Sequence, residues 1–418
     1  LLGIKMKRVI QYIHAEISTL CNAACPCCPR FLFSSPVIAP GLEPGYISFK
    51  NFKKFFPPSI LGRTKTINFC GNHGDPGTNP DLYEILKYCS QFNELKVQMH
   101  TNGGMKAAKY WDKIGKLAQG RKNWKIIFSI DGISDTNHIY RRNVKWDKLE
   151  KNIEALGKYA CHNDGKTGFH FIWEYLVFEH NQHQLEEATD LARGFGFTSI
   201  TFKRPLNVDD GVNLTAIAAL NSAGEVEYWI KPTTLKAYKP PYIKESAKIV
   251  YDHALKQHNT TLIESVNKTK RPPLEQFALS SKEIIKEQVE LANKSKIVPL
   301  CQSQEYYVEA SGQVHKCCFV ATGYDAAKKL HNLGHQQNEA LRQYVEKMLK
   351  LGNKLNLNYT DFETIVKDKT VQKLYDREWD KTVEEGKLMQ CVNYCGSNNT
   401  QEAITSIFNS PPTKKNRI

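Results

Sequence analysis

The sequence predicts an α/β protein, a partial (β/α)6 TIM-like barrel with a small C-terminal α+β extension. Three observations carry that reading. From residue 8 to about 205, short runs rich in β-branched and aromatic residues alternate with helix-period stretches, the pattern of parallel strands joined by crossover helices. Glycine-bearing polar turns follow directly on several of those runs, and the carboxyl ends of strands are where such barrels keep their chemistry. Near residue 300 the alternation gives way to a cysteine-bearing hairpin pattern.

Strands are expected at Ile10–Ile17, Thr64–Cys70, Lys96–His100, Lys125–Ile130, Phe169–Phe178 and Thr198–Lys203, each bounded by turn residues. Between them, helices are expected at Ser48–Phe56, Asp81–Gln91, Lys106–Leu117, Trp146–His162 and Gln182–Phe195. Residues 206–296 are polar and interrupted by Pro232, Pro240-Pro241 and Pro272-Pro273, with helical periodicity at Ile243–His258 and Leu274–Ser295. This stretch reads as a helical insertion or linker over the open side of a 1–205 barrel, with Tyr228, Trp229 and Tyr238 as buried aromatics. A third unit spans 297–400, its stretch 335–387 helical with Leu341, Tyr344, Val345, Met348 and Leu349 facing a core. A basic tail, 401–418, ends in Lys414-Lys-Asn-Arg417.

Composition narrows the function classes. With 418 residues, 41% of them hydrophobic and 11% aromatic, the chain can bury a sizeable core in two or three domains. Mean hydropathy is −0.48, and no apolar run approaches the roughly 20 residues of a membrane span, so a soluble protein with no membrane partner is expected. No secretory signal precedes the first strand pattern, and the 12 cysteines fall in a few clusters with metal-ligand spacing. A reducing, cytoplasmic setting follows. The net charge of +14 would concentrate anionic partners, but its lysines and arginines are scattered without interleaved aromatics, which favours a solvated surface over a nucleic-acid groove.

The chemistry concentrates in Cys21-Asn-Ala-Ala-Cys25-Pro-Cys27-Cys28-Pro-Arg30, directly after the first strand. Three thiols in the spacing CxxxCxxC can hold three irons of a cubane [4Fe–4S] cluster and leave the fourth iron open. Close cysteines also hold structural zinc, but zinc wants a fourth ligand at finger-like spacing, and the next histidine is His73. Further matches follow in order: Gly71-Asn-His-Gly74-Asp75-Pro76-Gly77 after the second strand, His100-Thr101-Asn102-Gly-Gly104 after the third, Phe128-Ser129-Ile-Asp131-Gly132 after the fourth, then His138-Ile-Tyr-Arg141-Arg142-Asn143 and Glu179-His-Asn181.

On these residues the first half of the chain resembles the radical S-adenosylmethionine (SAM) superfamily. The resemblance implies that Cys21, Cys25 and Cys28 hold a catalytic [4Fe–4S] cluster whose open iron takes the amine and carboxylate of SAM. It places Gly74, Asp75 and Pro76 at the SAM amino group, where Asp stands for the family's usual Glu and favours a backbone role. Thr101 and Asn102, with Ser129 and Asp131, would hydrogen-bond the ribose or methionyl group, Arg141 would face the carboxylate, and Asn181 would lie nearby or simply cap the helix after it. An electron from a flavodoxin- or ferredoxin-type donor would then cleave SAM to a 5′-deoxyadenosyl radical.

The second constellation is Cys301, then Gly312 in a hairpin turn, then Cys317-Cys318, with Cys391-Val-Asn-Tyr-Cys395 closing it. It resembles a SPASM or twitch extension, which implies a second, auxiliary [4Fe–4S] cluster on Cys301, Cys317, Cys391 and Cys395. Cys318 could replace Cys317 or donate a hydrogen atom or proton. Cys27, Cys70, Cys89 and Cys161 read as inert buried thiols, Cys70 with the option of facing the cavity. The function implied is hydrogen abstraction from a peptide, protein or small-molecule substrate, leading to oxidation, cross-linking or epimerisation. The rival is a non-catalytic zinc- or cluster-binding protein that holds nucleic acid.

Overall fold

A computed structural model of the 418-residue chain describes residues 9–31, 38–39, 42–160, 168–203, 216–235, 305–318, 321, 346–370 and 382. Six parallel strands form the body of the sheet: β1 (Ile10–Ala15), β2 (Thr64–Phe69), β3 (Lys96–Thr101), β4 (Trp124–Ser129), β5 (His170–Leu176) and β6 (Ser199–Lys203). They lie in sequence order, as successive βα units require, and each begins and ends within two residues of its expected bounds. The expected partial barrel is the fold observed.

The helices form for local reasons and bury one face each. Ser48 caps α1 (Phe49–Phe55), its side chain accepting the Asn51 amide at 3.2 Å. The next helices are α2 (Pro58–Leu61), α3 (Leu82–Cys89), α4 (Ala108–Ala118), α5 (Asn137–Tyr140), α6 (Trp146–Gly157) and α7 (Leu185–Gly194). On α4, Trp111, Ile114, Gly115 and Ala118 recur at helical spacing and are buried. Alternate strand residues meet them: Phe128 of β4 packs edge-on against Trp111 and Phe171, both at 5.0 Å between centroids. Their neighbours one residue along the strands point to the opposite, concave face, where polar groups collect.

Two departures from expectation have clear causes. The described part of the 206–296 stretch is a β-hairpin, β7 (Ile217–Leu220) with β8 (Val226–Ile230), rather than helix. Gly224, at φ +82°, supplies the turn, and the alternation Val226-Glu-Tyr-Trp-Ile230 the strand. Tyr228 and Trp229 are half-buried there; Tyr238 and the helices expected at 243–258 and 274–295 lie outside the described residues.

The C-terminal hairpin is present but not separate. β9 (Glu305–Val308) and β10 (Val314–His315) pair antiparallel around Gly312, whose φ of +85° suits only glycine, and β9 also runs parallel to β1, extending the barrel sheet to eight strands. Residues 346–351 are helical and Met348 is buried as expected, but Leu349 is 47% exposed, on the opposite side of that turn. The short helix Phe362–Lys367 follows, its Phe362 packing on Tyr306 and Phe56. Among the described residues no helix is long and apolar enough to cross a membrane.

Candidate active site

The cysteine loop leaves β1 and is held at the carboxyl ends of the strands from several sides. Asn79, fully enclosed, donates to the carbonyls of Ile17 (2.8 Å) and Ile47 (3.0 Å). The Asp75 amide and the Thr78 hydroxyl both donate to Leu20 O, at 2.8 and 2.9 Å. Within the loop Arg30 donates to Cys21 O at 2.7 Å, and the Cys28 amide to Cys25 O at 3.0 Å. Backbone bonds of this kind fix a loop that has no regular structure of its own.

The three motif thiols are close enough to feel one another's charge. Burial pushes the Cys21 thiol up, with Asp75, Cys25 and Cys28 adding to it. Burial likewise raises Cys25, against the opposing pull of Arg141, and raises Cys28 to about 12, with Cys25 the next cause. Thiols so raised stay protonated near neutral pH, and a bound metal would displace those protons because the thiolate is the ligand. Among the described residues no three His, Cys, Asp or Glu form a ready-made site for a single metal ion.

Two side chains, one after a strand and one after a helix, reach the sulfurs. Asn102, after β3, points its amide at Cys21 Sγ (3.5 Å) and at Asn22 Oδ1 (2.9 Å). Arg141, after α5, lies with Nη1 3.8 Å from Cys25 Sγ. Its neighbour Arg142 goes elsewhere, to Leu220 O and Glu227 Oε2 of the β7–β8 hairpin, both at 2.7 Å. The sequence singled out Arg141 over Arg142, and of the two only Arg141 reaches the cysteines.

The remaining expected ligand contacts divide by exposure. Gly74 sits so tightly that a Cβ there would fall 1.9 Å from Ser18 O, so only glycine permits the turn to lie on the cysteine loop. Asp75 is buried, with Oδ1 accepting from Gly77 N and Thr101 Oγ1 and Oδ2 from Asn102 N. Its carboxylate and the Thr101 hydroxyl therefore brace the turn, whose Asp75 and Pro76 carbonyls accept the amides of Thr78 (3.0 Å) and Asn79 (3.1 Å). Asp131 has no exposed surface: Oδ1 accepts from Leu176 N (2.7 Å) and Oδ2 from Arg141 Nε (2.6 Å). Both carboxylate oxygens are thus engaged within the protein, one of them holding Arg141. Asn181 is also enclosed and holds the N-cap position of the 3-10 turn Gln182–Gln184 without a side-chain cap bond: its amide donates to Asp131 O and Leu176 O, and its Oδ1 accepts from Phe178 N. Ser129 stays half-buried on the concave face, paired in register with Glu174.

The sequence did not single out Glu174 or Lys203. Glu174 of β5 contacts Lys203 of β6 at 2.5 Å and His100 of β3 at 3.7 Å, reaching across β4 on the concave face. Burial pushes Glu174 up, but the hydrogen bonds and charges of His100 and Lys203 prevail and hold it at about 2. Strand alternation was the available signal, since His100, Glu174 and Lys203 occupy positions opposite the helix-facing residues. Cys317 and Cys318 are half-buried after β10, and Asn72 of the glycine turn donates to Cys318 O at 2.8 Å. Cys301, Cys391, Cys395 and Cys161 lie outside the described residues.

No protein-family model matches the chain. A curated relative, the 7,8-dihydro-6-hydroxymethylpterin dimethyltransferase of Methanocaldococcus jannaschii, is 27% identical over 200 residues, covering 45% of this chain and 36% of that protein. The match thus spans about a third of the relative's length. Among solved structures, Streptococcus suis SuiB bound to its precursor peptide SuiA shares 11% identity at a TM-score of 0.46, over 87% of this chain and 66% of SuiB. BtrN in complex with AdoMet and 2-DOIA shares 12% at 0.40, over 96% of this chain and 99% of BtrN. Native anSMEcpe with AdoMet and the Cp18Cys peptide shares 13% at 0.42, over 94% and 90%. Likenesses at this level concern the course of the chain and not its chemistry.

Proposed function

We propose that the chain is a radical SAM enzyme that abstracts hydrogen from a peptide, protein or small-molecule substrate. The observation that carries this reading is the cysteine loop itself: three coupled thiols at the carboxyl end of β1, with Asn102 directed at Cys21 and Arg141 at Cys25. When bound, the cluster and SAM would supply reductive cleavage to a 5′-deoxyadenosyl radical.

The chain's own part is holding and shielding. Cys21, Cys25 and Cys28 would ligate the cluster, while Asn102 and Arg141 bring N–H groups to two of the sulfurs, a common means of tuning such centres. The turn 71–77 would offer backbone carbonyls to the SAM amine, and Arg141, braced by Asp131, a cation to its carboxylate. Ser129, Glu174 and Lys203 would line the concave side where substrate enters. An auxiliary [4Fe–4S] cluster on Cys301, Cys317, Cys391 and Cys395, with Cys318 as the alternate to Cys317, belongs to the same proposal, as does a flavodoxin- or ferredoxin-type donor.

The curated relative's name gives a reduced pterin as one small molecule to assay beside peptides. Anaerobic reconstitution tests the reading: about eight irons per chain are expected for two cubanes, together with 5′-deoxyadenosine on addition of SAM and reductant. Iron bound without 5′-deoxyadenosine would refute catalysis, and zinc in place of iron would refute the cluster.

A further inference from the structure

We infer that Tyr307, on the returning strand β9, is a positioning residue for the ligand-facing turn 71–77 and acts on it through Glu16. The inference rests on the proposed SAM reading of that turn.

Glu16 directly follows β1 and is 1% exposed. Its Oε1 accepts the backbone amides of His73 (2.7 Å) and Gly74 (3.1 Å), and its Oε2 accepts the Tyr307 hydroxyl. A carboxylate this deep is tolerated only while donors surround it, and here the donors come from both halves of the chain. Tyr307 lies 291 positions away and is brought there by the sheet: β9 runs parallel to β1 with His14 opposite Tyr307, and the Glu16 amide donates to Val308 O at 2.8 Å. The phenol ring is buried edge-on against His14 at 4.9 Å, so its hydroxyl has one direction to point.

The turn has no slack to absorb a shift of Glu16. A Cβ at Gly71 would stand 2.8 Å from Glu16 Oε1 and 2.3 Å from Gly74 O. Glu16 therefore acts as a peg on which the turn's amides hang, and Tyr307 fixes the peg. With the amides of His73 and Gly74 turned inward to Glu16, the path of the turn follows the position of that carboxylate. The first strand of the C-terminal extension thus completes the binding turn of the barrel.

The experiment uses the full-length reconstituted protein and compares wild type, Tyr307→Phe and Tyr306→Phe. Tyr306 is the adjacent β9 ring, which packs on Phe362 at 5.5 Å. Hydrogen exchange at residues 71–77 is followed without SAM, and SAM affinity is measured by equilibrium dialysis with iron content determined on the same samples. Tyr307→Phe is expected to accelerate exchange at His73 and Gly74, and to weaken SAM, each by about tenfold with iron unchanged, as loss of one hydrogen bond to a buried charge implies. Tyr306→Phe should leave both within about twofold, the reach of a substitution that spares this bond. Unchanged exchange in Tyr307→Phe, equal acceleration in Tyr306→Phe, or unchanged SAM affinity would overturn the inference. If exchange responds as expected and wild type binds no SAM, the positioning stands and the ligand assignment falls.

Discussion

Arg141 Nε donates to Asp131 Oδ2 at 2.6 Å, inside the protein and beside Cys25. Burial works against the Arg141 charge, and Asp131 more than reverses it, so the guanidinium stays protonated. Burial pushes the Asp131 carboxyl up, with Arg141 and the Leu176 amide pulling the other way; the short contact and two donors favour the ionised pair. Removing one partner strands the other. Asp131→Ala is expected to cost about 3–5 kcal/mol in denaturant unfolding, and Asp131→Asn less, because its shape and the Leu176 contact persist.

The loop cysteines separate by role. Cys21→Ala, Cys25→Ala and Cys28→Ala should each abolish loading of the first cluster, a loss of about four irons per chain, while Cys27→Ala should retain them. Iron and sulfide analysis after anaerobic reconstitution reads the difference. A chain that keeps its iron in all three ligand variants would sink the assignment.

Glu174 makes stability acid-sensitive. Its carboxyl is held at about 2 against an ordinary 4.5 by His100 and Lys203, despite burial. A carboxylate so held adds stability above pH 4.5 that drains away as pH falls toward 2. Lys203 is 37% exposed, so screening keeps the contribution to on the order of 1–2 kcal/mol. Glu174→Gln should lose that amount at neutral pH, and its deficit against wild type should shrink across the same interval in pH-dependent unfolding.

His180 acts at milder pH. Its ring stacks on Phe178 at 5.4 Å and its Nε2 is buried with no hydrogen-bond partner among the described residues. Burial pushes it down to about 3 from an ordinary 6.5, with the charges of His183 and His138 adding to the effect. The unfolded chain then binds a proton that the folded chain refuses, so stability falls as pH drops from 6.5 toward 3, by about 2 kcal/mol at pH 5. His180→Phe should flatten that slope in unfolding curves taken between those limits. An unchanged slope would mean that the ring titrates freely in the native state.

Much of this molecule could be read along the chain. The six barrel strands declare themselves because each is a short run rich in β-branched or aromatic residues bounded by turn residues. The β7–β8 hairpin did not, since Pro232 and a polar composition masked a short alternation. The burial of Asp131 and Asn181 could not be read along the chain, because burial, which spends a polar side chain on its neighbours, has no local signature.

The sequence by itself determined the strand and helix order, the CxxxCxxC loop and the polar turns at strand ends, since periodicity, caps and ligand spacing are local properties of the chain. Only the tertiary structure decided which of those polar groups face outward and which are consumed inside. It sent Arg141 to Cys25 and Arg142 to the hairpin, and it set β9 against β1 so that Tyr307 meets Glu16. Those choices depend on pairing across hundreds of residues, where the cost of an unpaired buried charge selects the partner, and nothing near Glu16 in the chain names Tyr307.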